Sequence, residues 1–201
     1  MALHALMECS LVNGPGRRTV IWLQGCELHC AGCWNPQTHS RFAGAPATSS
    51  ELVSRVLEAR TRYRIEGVTL SGGEPIHQIA NIVETLLLLR AAAPDLSAGL
   101  FTGYTERELE QGRFETYADS DEKSRQASWR GLRALLDFAV FGRFNRHQPS
   151  SEAMIGSRNQ QLRLLSDRYA FHHFGEQTVE VAIGSDGLTQ ITGFPTLGVL
   201  N

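Results

Sequence analysis

The sequence predicts an α/β protein, an open, partial (β/α) barrel with a C-terminal β-hairpin extension. Three observations carry this. Short apolar runs alternate with helical patterns in strand–loop–helix order through residue 165, which gives parallel strands joined by helices. Two stretches, 25–36 and 71–75, directly follow such runs, and α/β folds place their chemistry at the C-terminal ends of strands. The units are too few to close an eight-stranded barrel.

The elements follow in order. Residues 1–18 read as a loop, a plain surface one or a functional one alike on local chemistry, with Asn13-Gly14-Pro15-Gly16 a strong turn signal and Cys9 a small buried hydrophobe. Thr19 to Leu23 is the first buried strand. Ser49 or Ser50 can cap a helix that turns Leu52, Val53, Val56, Leu57 and Tyr63 to one face. Gly67 to Leu70 is the second strand, and Ile79 to Ala93 an apolar helix closed by Pro94. Leu96 to Phe101 is the third strand, and a polar helix starts near Glu106. Residues 112–128 are charged and serine-rich, a surface excursion before a helix from Trp129 to Leu136. Asp137 to Phe141 and Gln161 to Leu165 are the fourth and fifth strands. Thr178 to Ile183 and Leu188 to Thr192 form a hairpin about an Asp186-Gly187 turn. One domain is expected, with residues 1–165 as the barrel and 166–201 as an extension packed on it.

The 201 residues carry a formal net charge of −2, so no basic field argues for nucleic acid. No apolar run is long enough to span a bilayer. The N-terminus lacks the basic and apolar regions of a signal peptide, and clustered free cysteines point to a reducing cytoplasm.

Residues 25–36 organise the rest. Cys26, Cys30 and Cys33 are three of the chain's four cysteines, spaced Cys-x₃-Cys-x₂-Cys. Thiolates in such a run hold iron–sulfur clusters, and three of them leave one iron of a cubane without a protein ligand, open to a small molecule. Zinc is the second reading, as a structural or adaptor site with no catalysis. Disulfides are the third, although three crowded cysteines cannot pair among themselves. His29, between two of the cysteines, is expected to point away from a shared metal. Iron and sulfide analysis separates cluster from zinc.

A second motif decides between them. Taken with the cysteines, Ser71-Gly72-Gly73-Glu74-Pro75 resembles the radical S-adenosylmethionine (SAM) superfamily. The resemblance implies a [4Fe–4S] cluster on Cys26, Cys30 and Cys33, whose open iron chelates the amino and carboxylate groups of SAM. It implies that Ser71 to Pro75 bind SAM, with Glu74 orienting the amino group, and that reduction yields methionine and a 5′-deoxyadenosyl radical. The backbone around Trp34 is expected near the adenine. Arg143, Ser157 and Asn159 are candidates for ribose and adenine contacts.

The resemblance narrows further. Val12 to Arg17, Cys33-Trp34-Asn35-Pro36, Phe101-Thr102-Gly103-Tyr104, Gly142-Arg143-Phe144 and Gly156-Ser157-Arg158-Asn159-Gln160 occur in this order with the two motifs. Over about residues 10–165 they are similar to the activating component of anaerobic ribonucleotide reductase, within the glycyl-radical-enzyme activases. That implies a hydrogen taken from a glycine Cα of a partner polypeptide, with electrons from a low-potential donor such as flavodoxin. Small radical SAM enzymes that modify precursor peptides, including spliceases, are the alternative, with a borrowed peptide-recognition partner. Three departures stand out: Gly32 rather than an aromatic before the third cysteine; Phe141 where related activases carry a carboxylate two residues before Arg143; and residues 166–201, where His172 and His173 read as structural or surface. The substrate is expected to be a polypeptide lying extended across the open side of the barrel, because so small a domain encloses little of its own active-site mouth.

Overall fold

The computed structural model describes residues 1–183, 187 and 189–194. Its centre is a seven-stranded sheet in the order β3-β1-β2-β4-β5-β6-β7. The strands are β1 (Ala2–Ser10), β2 (Arg18–Leu23), β3 (Ala45–Pro46), β4 (Gly67–Gly72), β5 (Ser97–Thr102), β6 (Phe138–Phe141) and β7 (Gln161–Leu164). β2, β4, β5 and β6 are parallel neighbours, while β1, β3 and β7 pair antiparallel at the two flanks. Helices α1 (Ser49–Tyr63), α2 (Ile79–Ala92), α3 (Glu106–Glu110) and α4 (Glu122–Arg133) connect them. The open partial barrel and its C-terminal hairpin, β8 (Val179–Ile183) and β9 (Thr189–Gly193), are both present.

The strand residues divide by parity, because successive side chains leave a strand on opposite faces. Ile21, Leu23, Val68, Leu70, Ala98, Leu100, Ala139 and Phe141 join the main core with Leu52, Val56, Ile82, Leu86, Trp129 and Leu132 of the helices. Each fully buried leucine or isoleucine there contributes about 1.5–3 kcal/mol. Residues of opposite parity, Val20, Trp22, Phe138 and Val140, belong to two smaller clusters. The second of these packs Phe138 and Val140 with Met154, Ile155, Phe174 and Phe194. Near the strands' N-terminal ends Arg18 is fully buried. It donates to Thr69 Oγ1 at 2.7 Å and Ser97 Oγ at 2.8 Å, and its guanidinium lies over the Phe138 ring at 5.0 Å. A buried cation needs such acceptor partners to offset its desolvation.

Several expectations are corrected. Residues 2–10 form a strand, not a loop; register shifts between Leu3 and Ala5 and between Met7 and Ser10 break the period of two that marks a strand. Cys9 is half-buried at the edge of the core. Thr48, rather than Ser49 or Ser50, caps α1: its hydroxyl accepts from Glu51 N at 3.2 Å, and the Glu51 carboxylate accepts from Thr48 N at 2.7 Å. The excursion at 112–128 contains the start of α4, capped by Asp121, whose carboxylate accepts from Ser124 N at 2.7 Å. That helix ends at Arg133 and not at Leu136. The fifth strand, β7, runs antiparallel to β6 and is reached through a loop without a helix, so the repeating β/α order ends at β6. Most of the expected Asp186-Gly187 turn lies outside the described residues. His172 and His173 stack on each other at 4.2 Å and are exposed. Among the described residues no helix is long and apolar enough to cross a membrane.

Candidate functional site

Register between two parallel strands creates the site. β2 and β4 align Arg18 with Gly67 through to Leu23 with Gly72. The chain therefore leaves β2 into the cysteine loop directly beside the point where it leaves β4 into Gly73-Glu74. Two hydrogen bonds join these exits: Gly73 N donates to Leu23 O at 2.8 Å, and Glu74 N to Gly25 O at 2.8 Å. A side chain at residue 73 is excluded, since a Cβ there would lie 2.3 Å from Gly25 O. Gly72 takes φ +109°, which L side chains rarely adopt.

A cavity of about 490 Å³ opens above these ends, within the range of small-molecule sites. Cys26, Cys30, Cys33, Trp34, Ser71, Gly72, Gly73 and Glu74 all line it. The cysteines are free thiols. Each sulfur faces one backbone N–H, from Leu28 to Cys26, from Phe144 to Cys30, and from Asn35 to Cys33 Sγ at 3.4 Å. Burial pushes the Cys26 thiol up to about 12, and the Leu28 N–H offsets part of this. Burial also raises Cys30, against the Phe144 N–H.

Glu74 is the acidic centre. Burial pushes its carboxyl up to about 7, against three donors. Oε1 accepts from Ile76 N at 2.9 Å and Thr102 Oγ1 at 2.8 Å, and Oε2 from Gly103 N at 2.8 Å. The carboxyl thus ties the end of β4 to the end of β5. Among the described lining residues it is the single Asp, Glu, Lys or Arg.

The remaining predicted residues lie elsewhere. Pro75 is buried at the start of a single 3₁₀ turn. Arg143 pairs with Glu108 at 3.0 Å and lies over the Tyr104 ring at 5.4 Å. Ser157 is buried, its hydroxyl accepting from Asn145 N at 3.1 Å, and Asn159 donates to Arg143 O at 2.7 Å. None of these four lines the cavity. On that flank the wall is Gly142, Phe144, Met154, Gly156 and Gln160. Phe144 lies 4.8 Å from Trp34 between ring centroids. The candidates Arg143, Ser157 and Asn159 sit in loops whose neighbouring residues, Gly142, Phe144, Gly156 and Gln160, face the cavity. Asn13 and residues 189 and 191–194 also line it, contributions that no local pattern announces.

Residues 12–163 match the protein family described as a 4Fe-4S single cluster domain. The anaerobic ribonucleoside-triphosphate reductase-activating protein of Vibrio cholerae serotype O1 is 32% identical over 168 residues, 81% of this chain and 97% of the relative. The chain belongs to the activase group of the radical SAM superfamily. The protein of the same name from Enterobacteria phage T4 is 28% identical over 81% of this chain and 93% of its own. The pyruvate formate-lyase-activating enzyme of Clostridium pasteurianum is 37% identical, over 44% of this chain and 38% of its own. The crystal structure of QueE from Escherichia coli aligns over 52% of each chain with a TM-score of 0.40 and 22% identity, too distant to carry an argument.

The cofactors of this activase are therefore a [4Fe–4S] cluster and SAM, and the cavity fits both. A cubane takes each thiolate on a different iron, so it asks for sulfurs around a space rather than at a point. The three thiols border one wall, and among the described residues no three His, Cys, Asp or Glu are gathered tightly enough for a single ion. N–H groups directed at the sulfurs favour the thiolate form that iron requires.

Proposed function

We propose that this radical SAM protein activates a glycyl radical enzyme of the anaerobic ribonucleotide reductase kind. The observation that carries the reading is the meeting of Cys26, Cys30 and Cys33 with Gly72-Gly73-Glu74 on one cavity wall, in a chain that spans 97% of a relative so named. Cys26, Cys30 and Cys33 hold the cluster. When bound, the cluster supplies the electron that splits SAM into methionine and an adenosyl radical able to take a hydrogen atom from carbon.

The chain's own groups bind and orient. The Gly72-Gly73 turn lets the methionine end of SAM approach the backbone. Glu74, held rigidly by Thr102 and Gly103, keeps a lone pair on Oε2 for the SAM ammonium group; a positive charge beside it favours its ionised form. Trp34 and Phe144 offer aromatic faces to the adenine. Leu28, Phe101 and Met154 keep the interior apolar and exclude water. The protein works in a reducing compartment with a flavodoxin-like donor.

The test is electron paramagnetic resonance. The reconstituted protein is incubated anaerobically with SAM, reduced flavodoxin and an anaerobic ribonucleotide reductase. A glycyl radical signal on the reductase, dependent on SAM and abolished in Cys30→Ala, is expected. SAM cleavage with no protein radical would reject the reading.

A further inference from the structure

The cavity extends past the cysteines and the Gly-Gly-Glu turn to a flank that the cofactors do not explain. There it is bounded by Ala5 of β1, Trp22 of β2, Asn13, and Ile191 and Thr192 of β9. The hairpin is fixed in place from several directions. Asn13 Nδ2 donates to Thr192 Oγ1 at 2.9 Å in a buried contact, and Leu11 N donates to Glu180 Oε2 at 3.2 Å. Phe194 N donates to Thr178 O at 2.9 Å, and the buried Phe194 ring lies 6.3 Å from Trp34 and 6.1 Å from Phe101. The hairpin thus brings a wall of its own to the side of the barrel expected to be open.

Two features of this wall go beyond closure. Among the described residues β9 pairs with β8 alone, and no described strand takes the backbone donors and acceptors of its second edge. Val181 and Ile191 are cross-strand partners and 56% and 50% exposed, with Ile183 next on β8 at 74%. Ile191 belongs both to this apolar patch and to the cavity wall, so it joins the two.

We propose that this hairpin is the docking element for the polypeptide substrate: an uncharged, extended segment adds as a strand to β9, crosses Ile191 and enters the flank beside Trp22. The proposal rests on the reading that the substrate is a polypeptide. An unpaired strand edge recognises extended backbone, with apolar side chains adding specificity. A free metabolite makes no use of such an edge. The uncharged flank suits a segment without acidic or basic side chains, since a buried unpaired charge is costly.

The test uses the SAM-loaded, reconstituted protein and the glycyl radical enzyme as probe. Hydrogen–deuterium exchange of the unaltered protein should show residues 189–193 protected on binding. Ile191→Asp should weaken binding at least tenfold, whereas Leu87→Asp, an exposed apolar position on α2, should keep it. Should Ile191→Asp fail to fold, the exchange result on the unaltered protein decides. Unchanged affinity in a folded Ile191→Asp protein, or no protection of β9, overturns the proposal. So does protection that grows with the protein's own concentration and needs no substrate, which assigns the edge to a second copy. Protection of β9 without a glycyl radical would instead reject the activase reading and leave the docking surface standing.

Discussion

Replacing Gly73 by alanine should separate the two halves of the site. The added Cβ would meet three backbone atoms of Gly25: O at 2.3 Å, C at 2.8 Å and N at 3.1 Å. The first is about 1 Å short of the 3.4 Å at which ordinary contact begins, and backbone cannot rotate away. The exits of β2 and β4 must therefore part. That stretches the hydrogen bonds Gly73 N to Leu23 O and Glu74 N to Gly25 O, each contributing about 0.5–1.5 kcal/mol net. Backbone shifts forced by an extra methyl cost about 1–3 kcal/mol more. The expected loss is about 2–6 kcal/mol, a large share of the roughly 5–15 kcal/mol by which a domain is stable. Because the cysteine loop moves with Gly25, SAM cleavage should fall about a hundredfold, as a misplacement of ~1 Å implies. Urea unfolding of the apo chain and SAM cleavage by the reconstituted chain read the two effects. Gly131→Ala is the control. It lies in α4 with nothing within 4 Å of the added Cβ, and should stabilise by about 0.5–1 kcal/mol. A Gly73→Ala protein within 0.5 kcal/mol of the parent (well under the ~2 kcal/mol floor of these contributions), with SAM cleavage intact, would show that the two strand exits are not held together through Gly73.

Two further outcomes follow. Cys30→Ala should lose iron, sulfide and SAM cleavage, while Cys9→Ala, altering a half-buried residue of β1 at the core's edge, should keep all three; iron analysis of anaerobically purified protein distinguishes them. Asp137 governs acid stability. Burial would raise its carboxyl, but donation from Ala98 N at 2.8 Å, Ser166 Oγ at 2.7 Å and Arg90 at 2.9 Å holds it below the ordinary aspartate range. Its contribution is full above the unfolded value near ~3.9 and is lost as pH falls through the lower folded value. Asp137→Asn should therefore cost about 1.5–3 kcal/mol near neutrality, and the gap in urea midpoints should close towards acid.

Much of the barrel and of the cofactor wall could be read from the sequence, because each rests on short-range chemistry. β2, β4, β5 and β6 are short, mostly apolar runs buried on both faces over most of their length, and parallel strands carry such runs. Cysteines and glycines each have few uses in so tight a spacing. β1 was hidden by its irregular register, and the start of α4 by Glu122-Lys123-Ser124-Arg125-Gln126, polar residues ahead of the buried Trp129 and Leu132. The direction of β7 left no trace, because Gln161-Leu162-Arg163-Leu164 alternates identically in either orientation. Asn13 and Thr192 meet across 179 residues of chain, a pairing set by packing that no local pattern encodes. Ser157 and Asn159 belong to a loop motif, and in the fold their side chains brace that loop.

In the proposed reaction the hydrogen removed comes from a polypeptide glycine. The direct measurement supplies the reconstituted protein with SAM, a low-potential reductant and a glycyl radical enzyme labelled with α,α-dideuteroglycine, then determines deuterium in the 5′-deoxyadenosine by mass spectrometry. One deuterium per turnover is the predicted result, absent when the labelled enzyme is replaced by free labelled glycine. Unlabelled 5′-deoxyadenosine formed at full rate from the labelled partner would contradict the account.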